Sequence, residues 1–114
     1  DGTVFFSVND HDKPAAVELA RRFQELGFQI TATRGTARAI QAAGVACKTI
    51  FKVNEGRPNA VDLIKAGSLK LVIYTGTSGS VSFSDEKAIR RAAVQSRVPC
   101  ITTLSAAKAA VEAV

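Results

Sequence analysis

Polar side chains follow several of the apolar segments that the sequence predicts to be strands, and their types suit a phosphate group. Hydroxyl groups can donate hydrogen bonds to phosphate oxygens, and ammonium groups can balance the phosphate charge. The residues are Ser7, Lys13, Thr33, Thr36, Lys52, Tyr74, Thr75 and Thr77. Because the carboxyl ends of parallel strands meet at one edge of a sheet, we expect these side chains to surround one anion pocket.

These residues must be positioned by strands and helices, and the signals for the two alternate along the whole chain. Segments rich in β-branched and aromatic residues are followed by segments whose apolar residues recur every three or four positions. The predicted strands are residues 3–8, 28–33, 45–51, 69–75 and 99–102, and the predicted helices are residues 14–26, 36–43, 60–66, 84–96 and 104–114. The alternation predicts an α/β fold, a three-layer αβα sandwich with a five-stranded parallel sheet, formed by residues 1–114 as one domain.

The first predicted helix shows how local these signals are. Ala16, Leu19 and Phe23 recur at helical spacing and therefore lie on one face. Asp10 and Asp12 stand just before the helix and are residue types that accept hydrogen bonds from its free N–H groups. We expect one of these two aspartates to cap the helix.

The basic residues outnumber the acidic ones but are scattered along the chain. Fifteen Lys and Arg residues against 10 Asp and Glu residues give a net charge of +5, and no basic run is longer than two residues. A nucleic-acid-binding surface usually clusters basic residues and interleaves aromatic ones. The charge therefore favours a small anionic ligand, and we expect no nucleic-acid partner.

The cysteines and the apolar runs indicate in which cellular compartment the protein is expected. Cys47 and Cys100 lie in short apolar stretches without CxxC spacing, so we expect reduced thiols packed in a core and a cytoplasmic location. No apolar run reaches the roughly 20 residues that a membrane-spanning helix needs, so no membrane partner is expected. Because the chain begins at Asp1 and contains no Met, we expect it to be a piece of a longer polypeptide.

Each candidate residue also has an interpretation that needs no ligand. Thr33 and Thr36 could cap the second helix. Lys13 and Lys52 could be solvated surface lysines, and Ser7 could be an ordinary strand hydroxyl. The segment around Thr33 lacks both the GxGxxG spacing of dinucleotide sites and the P-loop pattern of triphosphate sites, which favours a monophosphate.

Two segments carry a resemblance to a known family. The run ATRGTA spans residues 32–37 and the run KVNEGRPN spans residues 52–59. They are supported by SV at 7–8, DK at 12–13 and AIRRAA at 88–93. Over essentially its whole length the chain resembles the methylglyoxal-synthase-like fold family, and more narrowly the carboxyl-terminal allosteric domains of carbamoyl phosphate synthetase large subunits.

The resemblance implies a parallel sheet with the second strand beside the first. It implies a domain that regulates a synthetase, an ATP-dependent ligase, and is not its active site. The implied effector is a nucleotide monophosphate, UMP or IMP, and no cofactor is implied in this domain. The implied protein partners are the rest of the synthetase large subunit and the small glutaminase subunit, in pyrimidine and arginine biosynthesis.

Motif by motif, the resemblance also assigns residues. It matches Lys13, Thr33 and Thr36 to phosphate-contacting positions and Ser7 and Lys52 to neighbouring pocket positions. It leaves Arg57 to shape the loop after Lys52 with Pro58, with a ligand role for Arg57 as the alternative.

The segment after the fourth strand departs from the family pattern. Relatives often carry Asn-Thr there, where Asn helps to hold the nucleoside, whereas this chain reads YTGT at residues 74–77. The contacts to base and ribose therefore stay open, with Tyr74, Thr75 and Thr77 as the candidates. We expect the Gly/Ser-rich loop at residues 76–84 to order over the nucleotide and to alter the contact with adjoining domains.

The alternatives are an autonomous methylglyoxal synthase-type lyase acting on dihydroxyacetone phosphate and a non-selective anion-binding scaffold domain. The lyase needs a carboxylate base and histidines. Its catalytic Asp aligns with Arg57, which stays protonated, and its early His aligns with Asn9. His11, the only histidine, has Asp10 and Asp12 beside it but is weak evidence for a metal site. We therefore expect no catalytic residue and no metal site.

Overall fold

The computed structural model describes residues 2–53, 55–75 and 83–113 of the chain, with the backbone alone for residues 83–85. The strands in these residues are β1 (Thr3–Ser7), β2 (Gln29–Thr33), β3 (Lys48–Ile50), β4 (Leu69–Tyr74) and β5 (Cys100–Ile101). The helices are α1 (Lys13–Glu25), α2 (Arg34–Ala42), α3 (Ala60–Lys65), α4 (Phe83–Ser96) and α5 (Leu104–Ala113), and a 3-10 turn, Asp10–Asp12, precedes α1. Among the described residues, no helix combines the length and the apolar character needed to cross a membrane.

The five strands form one parallel sheet in the order β3-β2-β1-β4-β5. The first strand lies in the middle, and its residue Phe6 pairs with Ala32 of β2 on one side and with Ile73 of β4 on the other. The expected placement of the second strand beside the first is therefore confirmed. Because every strand runs the same way, all five carboxyl ends lie at one edge of the sheet, here called the carboxyl edge.

The sheet buries apolar side chains on both of its faces. Val4 and Phe6 of β1 pack on one face in a first core shared with α1, α2 and α5. Phe5, between them in sequence, points to the other face and packs in a second core shared with α3 and α4. This alternation is the period of two that a strand imposes, and it produces the three-layer αβα sandwich that the sequence predicts.

The third strand is shorter than predicted. It spans Lys48–Ile50 rather than residues 45–51. The carbonyl oxygen of Cys47 accepts a hydrogen bond from the side-chain amide of Gln41 over 2.7 Å. This carbonyl therefore meets a side chain of α2, and the pairing with β2 begins at the next residue, Lys48.

The side-chain cap in this region comes from Asn9 and belongs to the 3-10 turn before α1, so the expected side-chain cap from Asp10 or Asp12 is wrong. The Asn9 side-chain oxygen accepts a hydrogen bond from the backbone N–H of Asp12 over 2.9 Å. Asp12 itself occupies the N-cap position of α1 without making a side-chain cap hydrogen bond. The physical reason is the intervening 3-10 turn, which begins after Asn9 and moves the free N–H groups one turn earlier.

Both cysteines carry free thiols that are half-buried rather than enclosed. They pack at the margins of the two cores, Cys47 against the first and Cys100 against the second. Burial raises the pKa of the Cys47 thiol to about 11, so this thiol stays protonated near neutral pH.

Candidate functional site

A cavity of about 170 Å³ opens at the carboxyl edge, where β1, β2 and β4 end. Seven of the eight predicted site residues line it: Ser7, Lys13, Thr33, Thr36, Lys52, Tyr74 and Thr75. The eighth, Thr77, lies outside the described residues, as does most of the predicted loop at residues 76–84. The tertiary structure therefore brings together every predicted site residue that it describes.

Two hydroxyl groups join the ends of β1 and β2 inside this cavity. The Thr33 hydroxyl donates a hydrogen bond to the Ser7 hydroxyl oxygen over 3.1 Å. Ser7 accepts in this bond, so its own hydroxyl proton is available to donate to a ligand. Thr33 is only 6% exposed, so solvent has little access to compete for this hydrogen bond.

Thr36 lies in the first turn of α2 and binds the backbone just beyond β1. Its hydroxyl oxygen accepts a hydrogen bond from the Val8 N–H over 3.1 Å, and its hydroxyl lies 3.4 Å from the Val8 carbonyl oxygen. The side chain is almost fully buried. Thr36 therefore lines the cavity and fixes the start of α2 against the end of β1, with its hydroxyl engaged by the Val8 backbone.

The interpretation of Thr33 and Thr36 as simple helix caps does not hold. Thr33 occupies the N-cap position of α2, yet its side chain makes no cap hydrogen bond and binds Ser7 instead. The first turn of α2, which is fully described, contains no acidic residue. The first N–H groups of α2 therefore receive no hydrogen-bond acceptor from the Thr33 side chain. Free N–H groups with a partial positive charge are what an anion binds at a helix N-terminus.

The segment that follows β1 is fixed by Thr75 at the end of β4. The Thr75 N–H donates to the Ser7 carbonyl oxygen over 3.0 Å, and the Asn9 N–H donates to the Thr75 hydroxyl oxygen over 3.0 Å. Asn9 also caps the turn before α1. This role of Asn9 was not predicted, although an Asn three residues before Asp12 is itself a capping signal.

Lys13, the first residue of α1, is the best-placed cation in the cavity lining. Its side chain is only 26% exposed, so it is not the solvated surface lysine of the alternative interpretation. Its ammonium group donates a hydrogen bond to the carboxylate of Asp10, which also lines the cavity. This hydrogen bond, and next the charge of Lys13, hold the pKa of the Asp10 carboxyl below its ordinary value.

Lys52 lines the cavity from the segment after β3, but its residue is exposed. Its backbone N–H donates to the Glu55 carboxylate over 3.2 Å, which holds the backbone of this turn rather than the side chain. The solvated-lysine interpretation therefore fits Lys52 better than Lys13. Lys52 can supply long-range positive charge at the rim of the cavity.

An apolar lining, which the sequence analysis missed, completes the cavity. It comes from the second core and from the segment after β3, and its members are Phe5, Phe51, Val53, Ala60 and Ile89. Phe51 is the exposed member, at 43%, whereas Tyr74, which also lines the cavity, is buried at 7%. The missed signal was Phe51 itself, an aromatic residue directly before Lys52 at the end of a strand.

Arg57 does not line the cavity. Its Nε donates to the Asp62 carboxylate over 3.0 Å, and its Nη2 lies 2.9 Å from the same oxygen. Asp62 in turn accepts from the Asn59 N–H over 3.0 Å in the capping box of α3. Arg57 therefore braces the loop before α3, in the loop-shaping role that the sequence analysis expects.

The described lining offers little for catalysis or metal binding. Asp10 is its one carboxylate and is engaged by Lys13, and no histidine belongs to it. His11 points to solvent, 96% exposed, with Asp12 at 3.4 Å. Among residues 2–53, 55–75 and 83–113 there is no group of three or more potential metal ligands. The arrangement is suited to binding an anion by hydroxyl, ammonium and backbone N–H groups.

Comparisons with known proteins agree on the type of domain. The MGS-like domain family matches residues 15–102. The chain is 57% identical to the carbamoyl phosphate synthase large chain of Acidobacterium capsulatum, over 99% of this chain and 10% of that protein. It is 53% identical to the C-terminal section of the carbamoyl phosphate synthase large chain of Methanopyrus kandleri, over 100% of this chain and 21% of that protein.

The fold also matches a solved structure. The crystal structure of methylglyoxal synthase from Elizabethkingia anophelis superimposes with a TM-score of 0.78 at 21% identity, over 96% of this chain and 76% of that one. At this identity the likeness concerns the fold alone. The chain spans between a tenth and about a fifth of the length of the two synthase relatives, so it corresponds to a small part of those proteins.

Proposed function

Because the chain belongs to the MGS-like domain family, we propose that it is the allosteric regulatory domain of a carbamoyl phosphate synthetase large subunit. In this proposal it binds a nucleotide monophosphate, UMP or IMP, through the phosphate group and performs no catalysis itself. Its partners are the rest of the large subunit and the small glutaminase subunit. The parent enzyme serves pyrimidine and arginine biosynthesis in the cytoplasm.

The observation that carries the proposal is the composition of the cavity wall. One part offers the Ser7 hydroxyl, the Lys13 ammonium group and the N-terminus of α2, which together suit a dianionic oxygen cluster. The other part is apolar and includes the exposed ring of Phe51. A nucleoside monophosphate has the same division, with a charged phosphate at one end and a flat, weakly polar base at the other.

The strength of such binding is within reach of these contacts. A hydrogen bond to a charged group contributes about 1.5–3 kcal/mol when it is shielded from solvent. Three such contacts, from Ser7, Lys13 and the start of α2, approach the roughly 8 kcal/mol that corresponds to micromolar affinity. The apolar contacts to the base would add to this total and favour a nucleotide over free phosphate.

Regulation requires that the effector bind one conformation of the synthetase better than another. A coupling free energy of about 1–3 kcal/mol between the two sites is typical of allosteric proteins. The proposal therefore expects the purified chain to bind the effector, and expects the regulatory response only in the complete synthetase.

Calorimetric titration of the purified chain with UMP, IMP and inorganic phosphate tests the proposal. We expect at least one nucleotide to bind with an affinity at least tenfold above that of phosphate. Equal binding of all three would instead indicate the non-selective anion-binding scaffold. Release of methylglyoxal from dihydroxyacetone phosphate would establish the lyase, which the pairing of Arg57 with Asp62 does not favour.

A further inference from the structure

The cation on which the proposed phosphate site depends already has an anionic partner. The Lys13 ammonium group donates a hydrogen bond to the Asp10 carboxylate. The two side chains differ strongly in exposure, 26% for Lys13 and 94% for Asp10. The lysine is thus held in the cavity wall, whereas the carboxylate approaches it from the solvent side.

We propose that Asp10 competes with the ligand: its carboxylate takes the place of the ligand phosphate on Lys13 in the free protein and thereby limits the affinity of the cavity. This inference rests on the proposed function, because it concerns the same anion site. It assigns to Asp10 the role of an affinity-setting residue, and binding then exchanges one anionic partner of Lys13 for another.

The surroundings of Lys13 explain why an anion is needed there before any ligand arrives. A Cβ atom on Gly35 would stand 3.3 Å from Lys13 Nζ, so the ammonium group lies against the first turn of α2. An ammonium group and a helix N-terminus repel each other. Asp10 is the one carboxylate among the described lining residues, and it offsets this repulsion in the free protein.

The position of Asp10 also allows a ligand to replace its carboxylate on Lys13. Asp10 belongs to an exposed 3-10 turn whose backbone is held by the Asn9 cap, not by the Asp10 side chain. The carboxylate can therefore turn into solvent without breaking a buried contact. A phosphate dianion brings more charge and more acceptor oxygens than one carboxylate, and it can also reach Ser7 and the α2 N-terminus.

Four chains test the inference: the unchanged chain, Asp10→Asn, Lys13→Gln and the double variant. Affinities for inorganic phosphate and for UMP are measured by NMR chemical-shift titration at constant ionic strength, which reaches millimolar values. We expect Asp10→Asn to bind both ligands about threefold to tenfold more tightly, because no carboxylate must be displaced. In the Lys13→Gln background, the fold increase in affinity caused by Asp10→Asn should be less than half of the fold increase seen when Lys13 is present.

A matched control separates competition from net charge. Glu18→Gln removes the same charge from an exposed position on α1 whose only ion pair, among the described residues, is a 3.9 Å contact with Arg21 outside the cavity lining. We expect its affinities to stay within about twofold of the unchanged chain, as for a screened surface charge. Asp10→Glu keeps a carboxylate near Lys13 and should also stay near the unchanged affinity.

Four results would overturn the inference. A gain from Asp10→Asn that is equal with and without Lys13 would mean general repulsion, and a loss would mean that Asp10 positions Lys13 for the ligand. If Lys13→Gln weakens binding while Asp10→Asn changes nothing, the proposed phosphate site stands and only this inference fails. If no variant binds phosphate or UMP, both fail together.

Discussion

The ammonium group of Lys13 lies against the backbone of Gly35, so closely that a Cβ on Gly35 would stand 3.3 Å from Nζ. The two residues are the first of α1 and the second of α2, and they meet across the cavity wall. Gly35 has an ordinary negative φ, so glycine is not needed here for an unusual backbone conformation. It is needed because the absence of a Cβ leaves space for the Lys13 ammonium group. The position of the main cavity cation thus depends on a missing side chain.

Gly35→Ala should separate binding from stability. The added methyl group displaces the Lys13 ammonium group by a few tenths of an ångström, and we expect the affinity for phosphate and UMP to fall about threefold to tenfold. Thermal stability should stay equal or rise, because Ala favours a helix over Gly by up to about 1 kcal/mol. Calorimetric titration and thermal unfolding measure the two effects, and an unchanged affinity would contradict the proposed place of Lys13.

Lys13→Ala should weaken nucleotide binding by more than about tenfold, since one charged contact worth about 1.5–3 kcal/mol is lost. Calorimetry measures the change. The matched control is Lys108→Ala, which removes the same charge from an exposed position on α5 and should bind as the unchanged chain does. Equal affinities for the two variants would count against the phosphate site.

Phe51→Ala should distinguish the two parts of the cavity. If the exposed ring covers the nucleobase, UMP affinity falls about threefold to tenfold while inorganic phosphate affinity stays within twofold. Leu26→Ala is the control, because Leu26 is similarly exposed, at 46%, and lies outside the cavity lining. An equal loss for phosphate and UMP would show that Phe51 supports the phosphate end instead.

Arg57→Ala should change the response to acid but not the binding of the ligand. The hydrogen bond from Arg57, and next the one from the Asn59 N–H, hold the pKa of the Asp62 carboxyl below its ordinary value of 3.8. A carboxyl whose folded pKa is lowered stabilises the fold above its unfolded pKa, and this stabilisation is lost as the pH falls through the folded value. The free energy of unfolding should therefore fall less steeply below about pH 4 in Arg57→Ala than in the unchanged chain.

Urea unfolding between about pH 2 and 7 measures this difference. At pH 7 the UMP affinity of Arg57→Ala should stay within twofold, since Arg57 is 80% exposed and faces Asp62 rather than the cavity. A loss of fivefold or more would make Arg57 a ligand residue, the alternative that the sequence left open. An acid response equal to that of the unchanged chain would show that the Arg57–Asp62 pair is not formed in solution.

Much of the fold could be predicted because its signals are local. The five strands and five helices follow from apolar spacing and from Gly, Pro and Asn at their ends, and they differ from the observed bounds by a few residues. The largest difference is at the start of β3, where the Gln41 side-chain amide donates a hydrogen bond to the Cys47 carbonyl oxygen. The predicted side-chain cap from Asp10 or Asp12 was wrong because a 3-10 turn, which sequence spacing does not reveal, precedes α1 and is itself capped by Asn9.

What the sequence by itself determined is the order of the elements and, through the parallel direction of the strands, the edge at which the polar residues gather. Only the tertiary structure decided which groups touch: the Thr33 hydroxyl on Ser7, the Lys13 ammonium group beside Gly35, and the opening of the second core as an apolar wall. Periodicity describes neighbours along the chain, whereas these pairs are more than 20 residues apart. Their distances result from how helices pack on the twisted sheet, which no local pattern specifies.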